Sequence, residues 1–423
     1  MQFRLLYVLQ VPAQLRLNPT FAVSDAIGMV VQLILCIIAY VQHYTTERQH
    51  RKHPMKLSSL TLHHISMPLV APFETSFGRE TVRECVIIEL HAEGLTGWGE
   101  CVASREPGYN YETTGTAWHI LKDFIAPLVL GQDIQDADDF QSRVERIRGH
   151  HLAKAGVEMA LWDLLGKRDG KPLKEMFGGT RDKVDVGVSI GIQESASALV
   201  KTVDSYLGQG YRRVKIKIKP GREVEETLAV RKAHPDLRLQ VDANSAYTLE
   251  SAQVLKKIDD LNLLLIEQPL FEDDIWDHRL LQAEFKTPIC LDESVVSPRH
   301  ARYALEMKAC KIINIKPARV GGLSQAIAIH DHCLAQQVPV WCGGMLETGI
   351  GRASNLALAS LPGFVLPGDI SASDRYYHRD ITNERFVLNN DSAITVPTAH
   401  GLGVTIDESA LKEFSLAEIT LKA

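Results

Sequence analysis

"VKIKIKP", residues Val214–Pro220, alternates two kinds of side chain: Val214, Ile216 and Ile218 at one set of positions, Lys215, Lys217 and Lys219 at the other. Period-two alternation is the signature of a strand, and successive side chains of a strand point to opposite faces. The three lysines therefore share one face. A solvated edge strand would carry such a row. So would a strand whose lysines point into a cavity that requires ammonium groups. The strands on either side choose between these readings.

After Gly179, short β-rich runs alternate with amphipathic stretches. "VDVGVSIGI", "RVKIKIK", "LRLQVD", "LNLLLIE", "PICLD", "KIINIK", "VPVWCG" and "GFVLPGD" make eight strands. Segments with helical spacing lie between them, among them Glu223–Ala233, Leu249–Ile258 and Gly322–Gln336. Several strands are apolar almost throughout, as parallel strands covered by helices must be. Eight β–α units over residues 181–385 predict an α/β fold, a (β/α)8 barrel. A doubly wound sheet is the structural rival.

The last polar residues of successive strands are Lys217, Asp242, Glu267, Asp292 and Lys316, at intervals of 25, 25, 25 and 24 residues. One ionisable group thus falls at the carboxyl end of each of five consecutive strands. In a barrel those ends form the face that carries catalysis. Singly, each has a plain structural reading: Asp242-Ala-Asn244 as a turn, Asp292-Glu-Ser294 as a helix cap, Lys316-Pro317 as a strand terminus. The even register favours the functional reading for the set.

Charge assigns the roles. Asp242, Glu267 and Asp292 on neighbouring strands repel one another unless a cation neutralises them. An all-oxygen ligand set suits Mg²⁺ or Mn²⁺ and, with no His or Cys among these positions, not zinc. Such a metal would grip a substrate carboxylate and stabilise the charge that builds as an α-proton leaves. Lys217 is on the second strand and Lys316 on the sixth, four apart in a ring of eight and so opposite each other. Burial and the neighbouring Lys215 would weaken the hold of Lys217 on its proton and make it a base. On this reading the lysine row points into the barrel.

The remainder frames the barrel. Residues 55–180 read as a mixed α+β domain: "CVIIELHAEGLTGWGE" gives two strands with a Gly-containing turn. Ala153–Gly170 gives a helix with basic residues near its end and a glycine after it. Tyr111–Leu130 and Ile134–Val144 also carry helical spacing. Residues 386–423, with "FVL" and "AITV", are expected to rejoin this domain. Net charge is −6, which argues against nucleic acid as a partner. The seven cysteines (36, 85, 101, 290, 310, 333 and 342) are odd in number and include no CxxC pair, as expected of reduced thiols in a cytoplasmic protein.

Residues 1–54 differ from the rest, with five Lys/Arg against two Asp/Glu. Their segment Ala26–Val41, apolar except for Gln32, is short for a membrane span. Three readings stand: a translation start at Met55, a membrane anchor at residues 26–41, or a disordered tail.

These motifs are familiar as a set. "KIKIK", "VDAN", "IEQP", "LDES" and "IKPARVGG" resemble the strand motifs of the enolase superfamily, muconate-lactonising subgroup. "IKPARVGGLSQA", "GGMLETGIGRASNLALASLPG" and "LPGDISASDRYY" are similar to the group holding o-succinylbenzoate synthases and N-succinylamino acid racemases. The likeness runs from Met55 to the C-terminus, 369 of 423 residues.

The resemblance implies Mg²⁺ on Asp242, Glu267 and Asp292, Lys217 and Lys316 as catalytic groups, and Lys215 in support. It implies that residues 55–180 cap the barrel, with Leu69–Gly78 closing over the substrate. It places Gly344 and Met345, and more weakly Ser189, in the pocket. The implied partners are a small carboxylate substrate and further copies of the chain. The resemblance implies o-succinylbenzoate synthase activity first, N-succinylamino acid racemase as the alternative or in addition, and dipeptide epimerase after these. A non-enzymatic scaffold would have no reason to keep five ionisable groups in register. "TGIGRA" (Thr348–Ala353) lacks the full dinucleotide fingerprint and carries no nicotinamide reading.

Overall fold

The computed structural model describes residues 53–423; the segment Ala26–Val41 lies outside them. An antiparallel sheet opens the described chain. Strands β1 (Met55–Glu74), β2 (Arg79–Ala92) and β3 (Leu95–Cys101) form a meander. Glu93 and Gly94, both at positive φ (52° and 80°), make the tight turn between β2 and β3 that the sequence signalled.

Helix α1 (His151–Asp169) packs on β3. The contact is close because β3 is glycine-rich: a Cβ at Gly99 would collide with the carbonyl of Gly156. The helix ends as its sequence predicts, with Lys167 and Arg168 in the last turn and Gly170 left-handed at φ 61°. Residues 111–144 are more broken than their spacing suggests. Helix Thr114–Ile120 passes into a π-helical turn, Leu121–Ile125, and a short helix, Ala126–Val129, and the next helix starts at Ala137.

The second layer is a seven-stranded parallel sheet. In order it comprises β4 (Val188–Ile190), β5 (Arg213–Lys217), β6 (Arg238–Asp242), β7 (Ile266–Glu267), β8 (Ile289–Leu291), β9 (Ile312–Ile315) and β10 (Val340–Cys342). The eighth expected strand, "GFVLPGD", forms no regular strand. It closes the ring through single parallel bridges, Phe364 to Val340 on one side and Gly368 to Val186 on the other. Pro367 has no N–H to give a ladder, which accounts for the interruption. The fold is a (β/α)8 barrel.

Two further outcomes concern the ends of elements. Leu249–Ile258 turns as a 3-10 helix over Ser251–Ile258. "FVL" (386–388) is not a strand, whereas the final segment β11 (Ser415–Lys422) pairs antiparallel with β1. "AITV" contributes Ala393–Thr395, which pairs with Lys183–Asp185 beside the barrel.

One buried cluster joins the layers. Ile65, Met67, Cys85 and Ile87 from the antiparallel sheet pack with Val188, Ile216 and Ile315 of the barrel. The six described cysteines are free and buried. No helix among the described residues is long and apolar enough to cross a membrane.

Candidate active site

The strand register brings the five predicted groups to one end of the barrel. Lys217 is level with Asp242, and Asp242 with Glu267. Asp292 and Lys316 each follow the last residue of their strand, β8 and β9. All five are buried.

Lys217 Nζ donates to Asp242 Oδ2 at 2.6 Å and to Asn244 Oδ1 at 2.7 Å. Burial lowers its proton affinity; Asp242 opposes this, and Lys215 adds to it. Lys215 Nζ lies 2.6 Å from Asp369, 2.9 Å from Glu267 and 3.0 Å from Asp242. Burial works against its charge, but Asp369, Glu267 and Asp242 outweigh burial, so this ammonium is held well above its ordinary range. Lys215 is thus a fixed cation beside a lysine that gives up its proton more easily. Lys219, the third of the row, leaves the barrel: β5 ends at Lys217, and Lys219 reaches Glu74 of β1 at 3.3 Å, partly exposed.

Lys316 Nζ donates to Asp292 Oδ2 at 2.7 Å and to the Tyr109 hydroxyl at 3.1 Å. Burial again opposes its charge, but Tyr109 and Glu293 raise its proton affinity above the ordinary lysine value. The two lysines therefore differ in sign of shift.

The acids are neutralised pairwise. Asp242 takes Lys217 and Lys215, Glu267 takes Lys215 and the Asn314 amide (2.7 Å), and Asp292 takes Lys316 and Arg319. Among the described residues no three acidic, His or Cys side chains converge as a metal-binding group. Each buried carboxylate turns to the nearest fixed cation, because three unneutralised charges would repel in a dry site.

The donor set still suits a hard divalent cation. It is all oxygen, buried, and spread over three adjacent strand ends. Beside it Glu293, 6% exposed, holds one buried oxygen with no hydrogen-bond partner. Burial and the charge of Asp242 push the Glu293 carboxyl up to about 7.

A cavity of about 190 Å³ opens above this floor. Ser189, Lys215, Lys217, Lys316, Gly344 and Met345 all line it. The Ser189 hydroxyl is buried and unpartnered. Gly344 fits only as glycine, since a Cβ would stand 2.5 Å from the Asp369 carbonyl oxygen. From the antiparallel sheet and its loops come Phe73, Thr75, Phe77 and Gly78, within the expected closing loop.

Sequence reading missed Tyr109, Asn244, Asp369, Glu293 and Arg319. Asp369 had a signal, being the acid at the end of the eighth unit, two units beyond the register already counted. Tyr109 had none, because a loop of another domain delivers it.

One barrel thus presents two opposed lysines and three acids at its strand ends. Residues 57–178 match the family described as mandelate racemase / muconate lactonizing enzyme, N-terminal domain, and residues 198–410 match enolase C-terminal domain-like. The chain belongs to the enolase superfamily, an enzyme family whose members generally use Mg²⁺.

It is 46% identical over 362 residues to an o-succinylbenzoate synthase of Geobacillus kaustophilus, covering 85% of this chain and 96% of that one. It is 46% identical over 366 residues to an N-succinylamino acid racemase of Amycolatopsis, covering 86% and 99%. A solved enolase-superfamily structure from Listeria innocua superposes with a TM-score of 0.84 at 42% identity, covering 87% of this chain and 99% of that one.

Proposed function

We propose that the chain is an o-succinylbenzoate synthase, a Mg²⁺-dependent lyase that removes water from 2-succinyl-6-hydroxy-2,4-cyclohexadiene-1-carboxylate in menaquinone biosynthesis. One observation carries the reading: Lys217 and Lys316, four strands apart in the ring, line one cavity with opposite shifts in proton affinity. The relatives at 46% identity named as synthases support the choice of substrate.

Asp242, Glu267 and Asp292 would hold the metal, which when bound grips the substrate carboxylate and stabilises the charge of the enolate. Lys217 takes the proton from the ring carbon that bears the carboxylate. The freed electron pair moves into the carboxylate. Its return expels the hydroxyl from the same face, and Lys217 hands its proton to the departing oxygen. Water leaves and the ring becomes aromatic. Asn244 orients Lys217 Nζ for both transfers. Lys316 stays protonated and faces the developing charge from the other side, held by Asp292 and Tyr109.

N-succinylamino acid racemase is the second reading. The same opposition of lysines favours it: a proton taken on one face and returned on the other inverts an α-carbon. One assay tests both. The chain is incubated in D₂O with the cyclohexadiene substrate, or with an N-succinyl amino acid, with Mg²⁺ or with chelator. The proposal expects Mg²⁺-dependent loss of water from the first, and the second reading expects deuterium at the α-carbon. Turnover of neither, with metal present, rejects both.

A further inference from the structure

The cavity has a second set of cations that the mechanism does not use. Arg79 and Arg83, on β2, line it together with the lysines of the barrel floor. Positions four apart on a strand share a face. That face continues to Cys85 and Ile87, which pack with the barrel core.

Arg83 is only 2% exposed, yet no carboxylate bonds it closely. Its two terminal nitrogens donate to neutral acceptors, the Ser104 hydroxyl and the Val102 carbonyl. Its Nε has no partner. The nearest carboxylate, Glu80 Oε2, stands 4.0 Å away and itself accepts no hydrogen bond.

Other buried arginines are treated differently. Arg213 bonds Asp369 at 2.6 Å, and Arg319 bonds Asp292. Arg352 also rests on carbonyls, but it does not line the cavity. A buried guanidinium without close counter-charge is costly, and a carboxylate is the group its fork best accepts. Arg79 is exposed at the same wall, and no ion pair holds it among the described residues. The acids of this wall do not fill the role: Glu106 stands 3.5 Å from the exposed Arg105, and Glu80 is set back as described.

We infer that Arg83, assisted by Arg79, is a specificity-determining residue that receives a second carboxylate, at the end of the substrate away from the reacting centre. The inference rests on the proposed function, whose substrates are dianions with a succinyl arm. It goes further by assigning the arm's charge to a particular wall. The floor holds the reacting carboxylate, and the β2 wall selects for the distal one.

The test is equilibrium binding by calorimetry in Mg²⁺, with 2-succinylbenzoate against 2-butyrylbenzoate, which lacks the distal charge. Wild type is expected to prefer the succinyl ligand by about 100-fold, the usual scale of a charge-assisted hydrogen bond pair. Arg83→Met should bring that ratio close to one, Arg83→Lys should restore part of it, and Arg79→Ala should reduce it several-fold. Circular dichroism melts identify any variant that fails to fold, and the wild-type comparison needs no variant at all. Equal affinity of wild type for the two ligands overturns the inference. So does a folded Arg83→Met that keeps the full preference. Preference without turnover in the assay above would reject the proposed reaction and keep the subsite.

Discussion

The groups at the barrel floor and three glutamates of the antiparallel-sheet domain are all nearly dry, but they are neutralised by different means. At the floor, Asp242 faces whole positive charges, and Lys217 and Lys215 hold its carboxyl far below the ordinary range despite burial. Elsewhere the partners are helix N-termini. Glu100 of β3 accepts from the Thr348 hydroxyl at 2.7 Å and from the Gly351 N–H at 3.0 Å, at the start of α3 (Gly349–Ala359). Glu158 of α1 accepts from Leu323 and Ser324, which open α2 (Leu323–Ala335). Glu112 accepts from Leu152 at 2.9 Å and Ala153 at 3.1 Å, at the start of α1.

Burial pushes Glu100 and Glu112 up to about 7 and Glu158 up to about 6, against those hydrogen bonds. A helix terminus offers about half a charge. Half a charge does not offset full desolvation, whereas the two ammonium groups at Asp242 do. Asp242 is therefore held charged, whereas Glu267 is pushed up by burial and by Asp242 despite Lys215, and Glu100, Glu112 and Glu158, held only by helix termini, titrate nearer neutrality.

The largest effect expected from disturbing this contrast is at the floor. Lys217→Ala should slow dehydration by ~10⁴-fold or more, from loss of acid–base transfer together with its charge. Steady-state rates measure this, and a loss under tenfold would remove Lys217 from the chemistry. Lys215→Met comes next. It strips three buried carboxylates of a shared cation and should cost about 3–5 kcal/mol in denaturant unfolding, the scale of a broken buried ion pair. A change below about 1 kcal/mol would show that the floor does not depend on that cation.

The glutamates predict a pH effect of definite sign. The carboxyl of Glu100 lies above its unfolded value, the combined result of burial and the nearby Glu347. Such a group contributes stability in full below about pH 4.5 and loses that contribution as pH rises through about 7. Glu100→Gln should therefore flatten the fall in stability across that window, by on the order of 3 kcal/mol between its ends. Thermal melts of wild type and variant at several pH values read the difference, and parallel curves would contradict the assignment. The smallest effect is at Tyr109. Tyr109→Phe keeps the ring over Lys316 and removes one hydroxyl shared with Lys316 and Asp292. It should lower kcat by about 5–10-fold, near the net worth of a hydrogen bond to a charged group. An unchanged kcat would leave the hydroxyl without a role.

The floor was readable from sequence because each barrel unit repeats one length, so strand ends announce themselves by interval. Lys217, Asp242, Glu267, Asp292 and Lys316 come from that rule alone, and Asp369 could have. The eighth strand was misjudged because hydrophobic pattern does not report that Pro367 interrupts a ladder. Interval says nothing, however, of which way a side chain turns. Lys215, beside Asp242 and Glu267, and Arg319, beside Asp292, decide that. Arg83 and Glu100 reach the barrel from a sheet, and Tyr109 from a loop after it, all more than a hundred residues away in sequence. No local period encodes such a meeting, and only the packed domains bring it about.

The central claim is that Lys217 and Lys316 stand on opposite faces of one bound carboxylate. Deuterium uptake at the α-carbon of each enantiomer of an N-succinyl amino acid tests it most directly, using Lys217→Ala and Lys316→Ala with Mg²⁺ in D₂O. With each lysine serving as the base for one enantiomer, as the racemase reading requires, each variant stops exchange with one enantiomer and spares the other, in reciprocal fashion. Loss of the same enantiomer in both variants would place the two lysines on one side and contradict it.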